Sequence, residues 1–134
     1  MENEQTIQSP RQMSPLTLAF LGDAVFELLV RQHIVSSGSM PVGKLHAKAV
    51  EYVCATAQSQ AMEILGQALT EREQEMFRRG RNANGNHIPR NANPKEYRAA
   101  TGLETLFGYL YLNGETQRIT ELFSLIITRA DQSQ

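Results

Sequence analysis

Tryptophan is absent from this chain of 134 residues, and cysteine occurs once, as Cys54. A single thiol forms no internal disulfide, so the sequence is not a small cystine-stapled fold, and a reducing cytoplasm is the expected location. Long hydrophobic runs are missing too. Crossing a bilayer takes roughly 20 apolar residues, and here the apolar stretches are interrupted by Asp23, Glu27 and Glu104, so no membrane segment is expected. No basic start followed by an apolar core marks a secretory leader. Charge of one sign is lacking as well: 13 Lys and Arg face 14 Asp and Glu, for a net charge of -1. That balance excludes a uniformly basic nucleic-acid protein but leaves the distribution of charge open. His33, His46 and His87 lie too far apart in sequence for an HExxH-like pair, and neither zinc spacing nor a Walker-type phosphate loop occurs. Cys54 has no sequence-adjacent base and reads as a buried structural thiol.

What is present is apolar periodicity, with 41% hydrophobic residues in a chain of single-domain size. Met1–Met13 is polar apart from Ile7 and its end methionines, and is expected to be a loose tail before a domain over 14–134. Ser14-Pro15 supplies an N-cap and a first-turn proline, and Leu16, Phe20, Val25, Leu28 and Leu29 then recur at helical spacing to about Val35. After the breaker-rich 36–41 segment, Leu45, Ala49, Val53, Ala57 and Ala61 form an i, i+4 row, read as one helix or two consecutive short ones ending near Leu65-Gly66. Thr70 and Glu73 have capping-box spacing, opening a short helix through Phe77 that is expected to stop at Gly80. A loop over 82–93 follows. Asn93-Pro94-Lys95-Glu96 opens a helix that can run to Asn113-Gly114, and a last helix carries Ile119, Leu122, Phe123 and Ile126. No segment alternates with period 2, so the predicted class is all-α with five to seven helices.

Two acids interrupt the apolar pattern. Asp23 sits in Phe20-Leu21-Gly22-Asp23-Ala24-Val25-Phe26 and Glu104 in Thr101-Gly102-Leu103-Glu104-Thr105-Leu106-Phe107-Gly108. An unpaired ionised carboxylate costs several kcal/mol if buried. Gly22, Gly102 and Gly108 each cost about 1 kcal/mol of helix propensity relative to alanine, which predicts helix backbones in close approach. Either the two acids then share a hard divalent cation such as Mg²⁺, or Asp23 meets an arginine from elsewhere, or the acids reach solvent at a helix edge. Glu27, one turn beyond Asp23, is either a supporting group or a solvated helix charge.

Residues 78–98 hold Arg78, Arg79, Arg81, Arg90, Lys95 and Arg98 against Glu96 alone, so a near-neutral chain contains a basic patch. Asn82, Asn84, Asn86, Asn91 and Asn93 add short polar side chains, with Gly80 and Gly85 between them. Guanidinium forks suit phosphate oxygens, and phosphate contacts dominate nucleic-acid affinity. The segment is either an RNA clamp beside an acidic site or a solvated loop.

The segment Phe20-Leu21-Gly22-Asp23-Ala24-Val25 resembles the signature of the ribonuclease III family, and Glu104 followed by Leu106, Gly108, Leu110, Tyr111 and Leu112 resembles its second acidic motif. Tyr52-Val53-Cys54-Ala55-Thr56-Ala57-Gln58 and Arg79-Gly80-Arg81-Asn82-Ala83 look like the Mini-ribonuclease III subfamily, the stand-alone catalytic domain. No room remains by this reading for the double-stranded RNA-binding domain of longer members. The resemblance implies the helical ribonuclease III endonuclease fold, a homodimer, and cleavage of duplex RNA with Mg²⁺, or Mn²⁺ in its place, to 5′-phosphate and 3′-hydroxyl ends. It further implies a large-subunit ribosomal RNA precursor as substrate and association with ribosomal proteins. Asp23 and Glu104 match the family's catalytic metal ligands, and Arg78, Arg79, Arg81, Asn82, Arg90 and Lys95 become RNA-binding candidates. The chain departs from the family pattern at Leu16, Ala19 and Thr101, where carboxylates are usual. The alternative is a catalytically inactive RNA-binding or ribosome-assembly protein of the same fold.

Overall fold

The computed structural model describes residues 8–83 and 87–132. Among these residues there are six α-helices and no strand: α1 (Pro15–Val35), α2 (Val42–Val53), α3 (Ala55–Leu65), α4 (Glu71–Arg81), α5 (Pro94–Leu112) and α6 (Thr116–Gln132). Their starts follow local chemistry. The Ser14 hydroxyl accepts from the Thr17 N–H, Thr70 and Glu73 close a reciprocal capping box, and the Asn93 side-chain Oδ1 accepts from the Lys95 and Glu96 N–H groups at 2.9 and 3.1 Å. Gly114, at φ 75°, turns the chain from α5 into α6.

Helix α5 is the centre of the molecule. From Ala100 to Leu110 every residue is buried except the half-buried Glu104, the signature of a helix surrounded by others. α1 packs along it through two glycine notches. A methyl group at Gly22 would overlap the Glu104 carbonyl, and one at Gly108 would overlap the Leu18 carbonyl. The expected close approach is therefore present at both. Gly102 serves a different neighbour: a methyl there would lie 2.6 Å from a Phe77 ring carbon on α4. Phe26 packs edge-on against Phe107 and Phe123, closing the core between α1, α5 and α6.

Three expectations are corrected. Gly80 does not end its helix; α4 runs to Arg81, and Gly80 is buried where a methyl would strike the Thr105 side chain. A glycine near a helix end has the same sequence signature whether it turns the chain or admits a neighbour. Cys54 is exposed, not buried, because it is the one extended residue (φ -66°, ψ 157°) between α2 and α3. The apolar row is thus two helices. The N-terminal segment is engaged before residue 14: Pro10–Gln12 form a 3-10 turn and Met13 packs on the core. Asp23 is exposed on α1, as the helix-edge alternative has it. Asn84, Gly85 and Asn86 lie outside the described residues, as does Ile7.

One ion pair fixes α6 to α4. Arg118 donates from Nε and Nη2 to the two oxygens of Glu73, at 2.8 and 2.9 Å, and from Nη2 to the Ala68 carbonyl. Burial alone would push the Glu73 carboxyl up, but Arg118 and the Thr70 N–H hold it below its ordinary value.

Candidate active site

Asp23 and Glu104 meet where α1 crosses α5. Gly22, beside Asp23 in the chain, rests on the backbone carbonyl of Glu104 itself, so the close approach of the helices also sets the two carboxylates side by side. Glu104 is half-buried, and its carboxyl is pushed up to about 7, first by burial and then by the Asp23 charge. Gln58 of α3 opposes this shift by donating from Nε2 to Glu104 Oε2 at 3.4 Å. Of the alternatives for Asp23, solvent contact at a helix edge is met, and its charge also acts on Glu104.

Glu27 pairs with Arg31 at 3.2 Å along the outer face of α1, so it is a helix surface charge. The three positions where the family pattern calls for acids carry no donor for a cation on these carboxylates. Ala19 is buried, Leu16 is a half-buried hydrocarbon, and Thr101 spends its hydroxyl on the Tyr97 carbonyl at 3.0 Å. Among the described residues no group of three or more His, Cys, Asp or Glu side chains is placed to hold a metal. Among the described residues, Asp23 and Glu104 are the two carboxylates that the candidate site brings together.

Sequence reasoning did not single out Gln58 as a site residue. It sits on the buried stripe of α3 with Ala61, Met62 and Leu65, at i, i+3, i+4 and i+7. A glutamine in that register is the signal that was there to be read, since a buried amide must find a partner.

The basic residues divide into two groups. Arg78, Arg81, Asn82, Arg90 and Lys95 are exposed. Arg81, Asn82, Lys95 and Arg98 line a groove of about 480 Å³ at the start of α5, with the Arg81 guanidinium 5.5 Å above the Phe77 ring. Arg79 points elsewhere. Its two terminal nitrogens donate to the Arg11 and Met13 carbonyls at 2.7 and 2.8 Å, fastening the N-terminal segment to α4.

The Ribonuclease III domain family matches residues 16–115, which include both carboxylates. The chain is 48% identical over 116 residues to Mini-ribonuclease 3 of Symbiobacterium thermophilum, covering 87% of this chain and 89% of the relative. It is 43% identical over 131 residues to Mini-ribonuclease 3 of Clostridium tetani, covering 97% and 87%. A crystal structure of a protein from Fusobacterium nucleatum superposes with a TM-score of 0.82 at 30% identity, covering 91% of this chain and 99% of the other. The family match over most of the helical core, the identity across nearly whole chains and the shared fold place this chain in the ribonuclease III family of endoribonucleases.

Proposed function

We propose that this chain cuts double-stranded RNA as a Mg²⁺-dependent homodimer and matures the large-subunit ribosomal RNA precursor in the cytoplasm, in association with ribosomal proteins. The observation that carries the reading is the Asp23 and Glu104 pair at the glycine-notched crossing of α1 and α5. The donor set fits a hard cation: Mg²⁺ is commonly held by one or two carboxylates with waters completing its shell, and Mn²⁺ accepts the same ligands. The mutual repulsion that helps push Glu104 up is what a cation between the two would relieve. When bound, the cation supplies Lewis-acid polarisation of a phosphodiester oxygen and a more acidic water. The chain's own contribution is to present two acceptors on rigid helices, one exposed to incoming RNA and one held half out of water.

The test is incubation with long duplex RNA and Mg²⁺ beside an EDTA control. Shortening only with the metal, to fragments with 5′-phosphate and 3′-hydroxyl ends, is expected; intact duplex retained by the protein would favour the non-catalytic alternative.

A homodimer suits two antiparallel strands, which present equivalent phosphates to two symmetry-related sites. Helix α1 leaves a stripe for it. Phe20 is 85% exposed and Leu28 65%, with exposed Ala24 between them at i, i+4 and i+8. The parent chain should sediment at twice its 15.0 kDa mass at micromolar concentration, and Phe20→Asp should sediment at 15.0 kDa. A parent species at the single-chain mass throughout would end the dimer reading.

Arg78, Arg81, Asn82, Arg90 and Lys95 are proposed as backbone contacts to RNA. A-form duplexes are recognised mainly by shape, 2′-hydroxyls and phosphates, so these residues confer affinity without base preference. Arg81→Ala and Lys95→Ala should each weaken binding to every duplex and flatten the salt dependence by about one counterion. Arg79→Ala should leave the salt slope unchanged and lower the melting temperature, because its guanidinium holds backbone carbonyls. Equal salt slopes for all three variants would remove the basic groove from the RNA interface.

A further inference from the structure

Helix α3 is anchored to α5 at two points, both from its first turn. Thr56 Oγ1 donates to Glu96 Oε1 at 2.8 Å, and Gln58 Nε2 donates to Glu104 Oε2. Glu96 and Glu104 are eight residues apart on one helix, about 12 Å along its axis, so the pair of bonds fixes the start of α3 against α5 in both position and direction. Gln58 itself is 2% exposed. Its amide is out of water on an otherwise apolar stripe, and a buried amide left without a partner costs free energy that this fold avoids by pointing it at Glu104.

The choice of a neutral donor matters at this place. A lysine or arginine reaching Glu104 would pair with it and compete with any divalent cation for the same oxygens. A hydrocarbon would leave the carboxylate free to rotate. A glutamine amide holds one oxygen, Oε2, without cancelling the charge, and leaves the other oxygen of the carboxylate to a further partner. Groups that orient a ligand carboxylate by hydrogen bonding commonly change metal affinity by 10–100-fold when removed.

We infer that Gln58 is a positioning residue of the carboxylate site, fixing the orientation of Glu104 so that it and Asp23 converge on one divalent cation. The inference rests on the reading of Asp23 and Glu104 as cation ligands. Gln58 touches neither cation nor RNA; it acts through Glu104.

Mn²⁺ binding to the cation-free 134-residue chain, followed by electron paramagnetic resonance, tests this without reference to turnover. Gln58→Met keeps the length and much of the volume of the side chain and lacks the donor. It should weaken Mn²⁺ binding about tenfold or more and shift the Mg²⁺ concentration needed for half-maximal cleavage in the same direction, with duplex affinity unchanged. In a Glu104→Gln background the same substitution should have no further effect on Mn²⁺ binding, since a residue acting through Glu104 is coupled to it. Gln58→Asn, one methylene too short to reach Glu104, should reproduce the defect and serves if the methionine variant does not fold. Mn²⁺ affinity within twofold of the parent in a folded variant overturns the inference, as does a melting temperature that falls while affinity holds, or an undiminished effect in the Glu104→Gln background. A parent chain that binds no Mn²⁺ overturns the underlying assignment of the two ligands instead.

Discussion

Replacing Glu104 by glutamine should abolish RNA cleavage while leaving the protein as stable as the parent or more so. The substitution keeps the size and shape of the side chain, so the crossing of α1 and α5 is undisturbed. It removes one of the two carboxylates proposed as ligands, and a cation held by Asp23 alone loses part of the charge that makes binding favourable. If each ligand supports several kcal/mol of transition-state stabilisation, single-turnover rates at saturating Mg²⁺ should fall by about 10³-fold, at 1.36 kcal/mol per factor of ten. Asp23→Asn should behave likewise. Either variant cutting within tenfold of the parent rate would remove that residue from the ligand set.

The stability half of this expectation carries its own sign. Without added cation, the Glu104 carboxyl is raised to about 7 in the folded protein, by burial first and by Asp23 second. A raised carboxyl means that the folded state holds a proton which the unfolded chain has given up, so its contribution is fully present below the ordinary carboxylate range and is lost as pH rises through about 7. The cation-free parent should therefore lose stability between mildly acidic and mildly basic pH, and Glu104→Gln should lose less. Added Mg²⁺ should restore the parent and not the variant. Denaturant titrations at several pH values, with and without Mg²⁺, measure both effects; parallel pH profiles for the two proteins would contradict the placement of Glu104.

The helices were legible because their ends are built from local chemistry. Ser14, the Thr70 and Glu73 box and Asn93 satisfy the first N–H groups of α1, α4 and α5 whatever the rest of the chain does. Gly22 and Gly108 were legible because a glycine inside an apolar helix has a cost that close packing explains. Which of the alternatives for Asp23 holds was not legible, since Phe20 and Leu28 beside it obey helical spacing whether they face a core or stand 85% and 65% exposed, and pattern alone does not separate the two. Arg79 escaped for a related reason: its neighbours in sequence are cations, but its partners are the carbonyls of Arg11 and Met13, more than sixty residues away. Gln58 needed the register of α3, which depends on the single extended residue Cys54.

Gly108→Ala should destabilise the protein, against the ordinary preference of a helix interior for alanine over glycine by about 1 kcal/mol. A Cβ at this position would overlap the Leu18 carbonyl and sit 3.1 Å from the Gly22 nitrogen, and both are backbone atoms that cannot swing aside as a side chain can. Relief requires α1 and α5 to separate along their crossing. Overpacking of this kind costs roughly 1–3 kcal/mol and sometimes more, a drop of several degrees in melting temperature. Gly43→Ala is the control: it lies in the first turn of α2 with nothing within 4 Å of the added methyl, and should gain about 0.5–1 kcal/mol. Because Asp23 and Glu104 flank the same crossing, the folded fraction of Gly108→Ala should also bind Mn²⁺ more weakly than the parent, whereas Gly43→Ala should bind it equally. Thermal melts with opposite signs for the two substitutions, and a loss of cation affinity confined to Gly108→Ala, would tie the carboxylate geometry to the glycine contact; a Gly108→Ala protein as stable and as competent in Mn²⁺ binding as the parent would show that the helices are free to separate without consequence for the site.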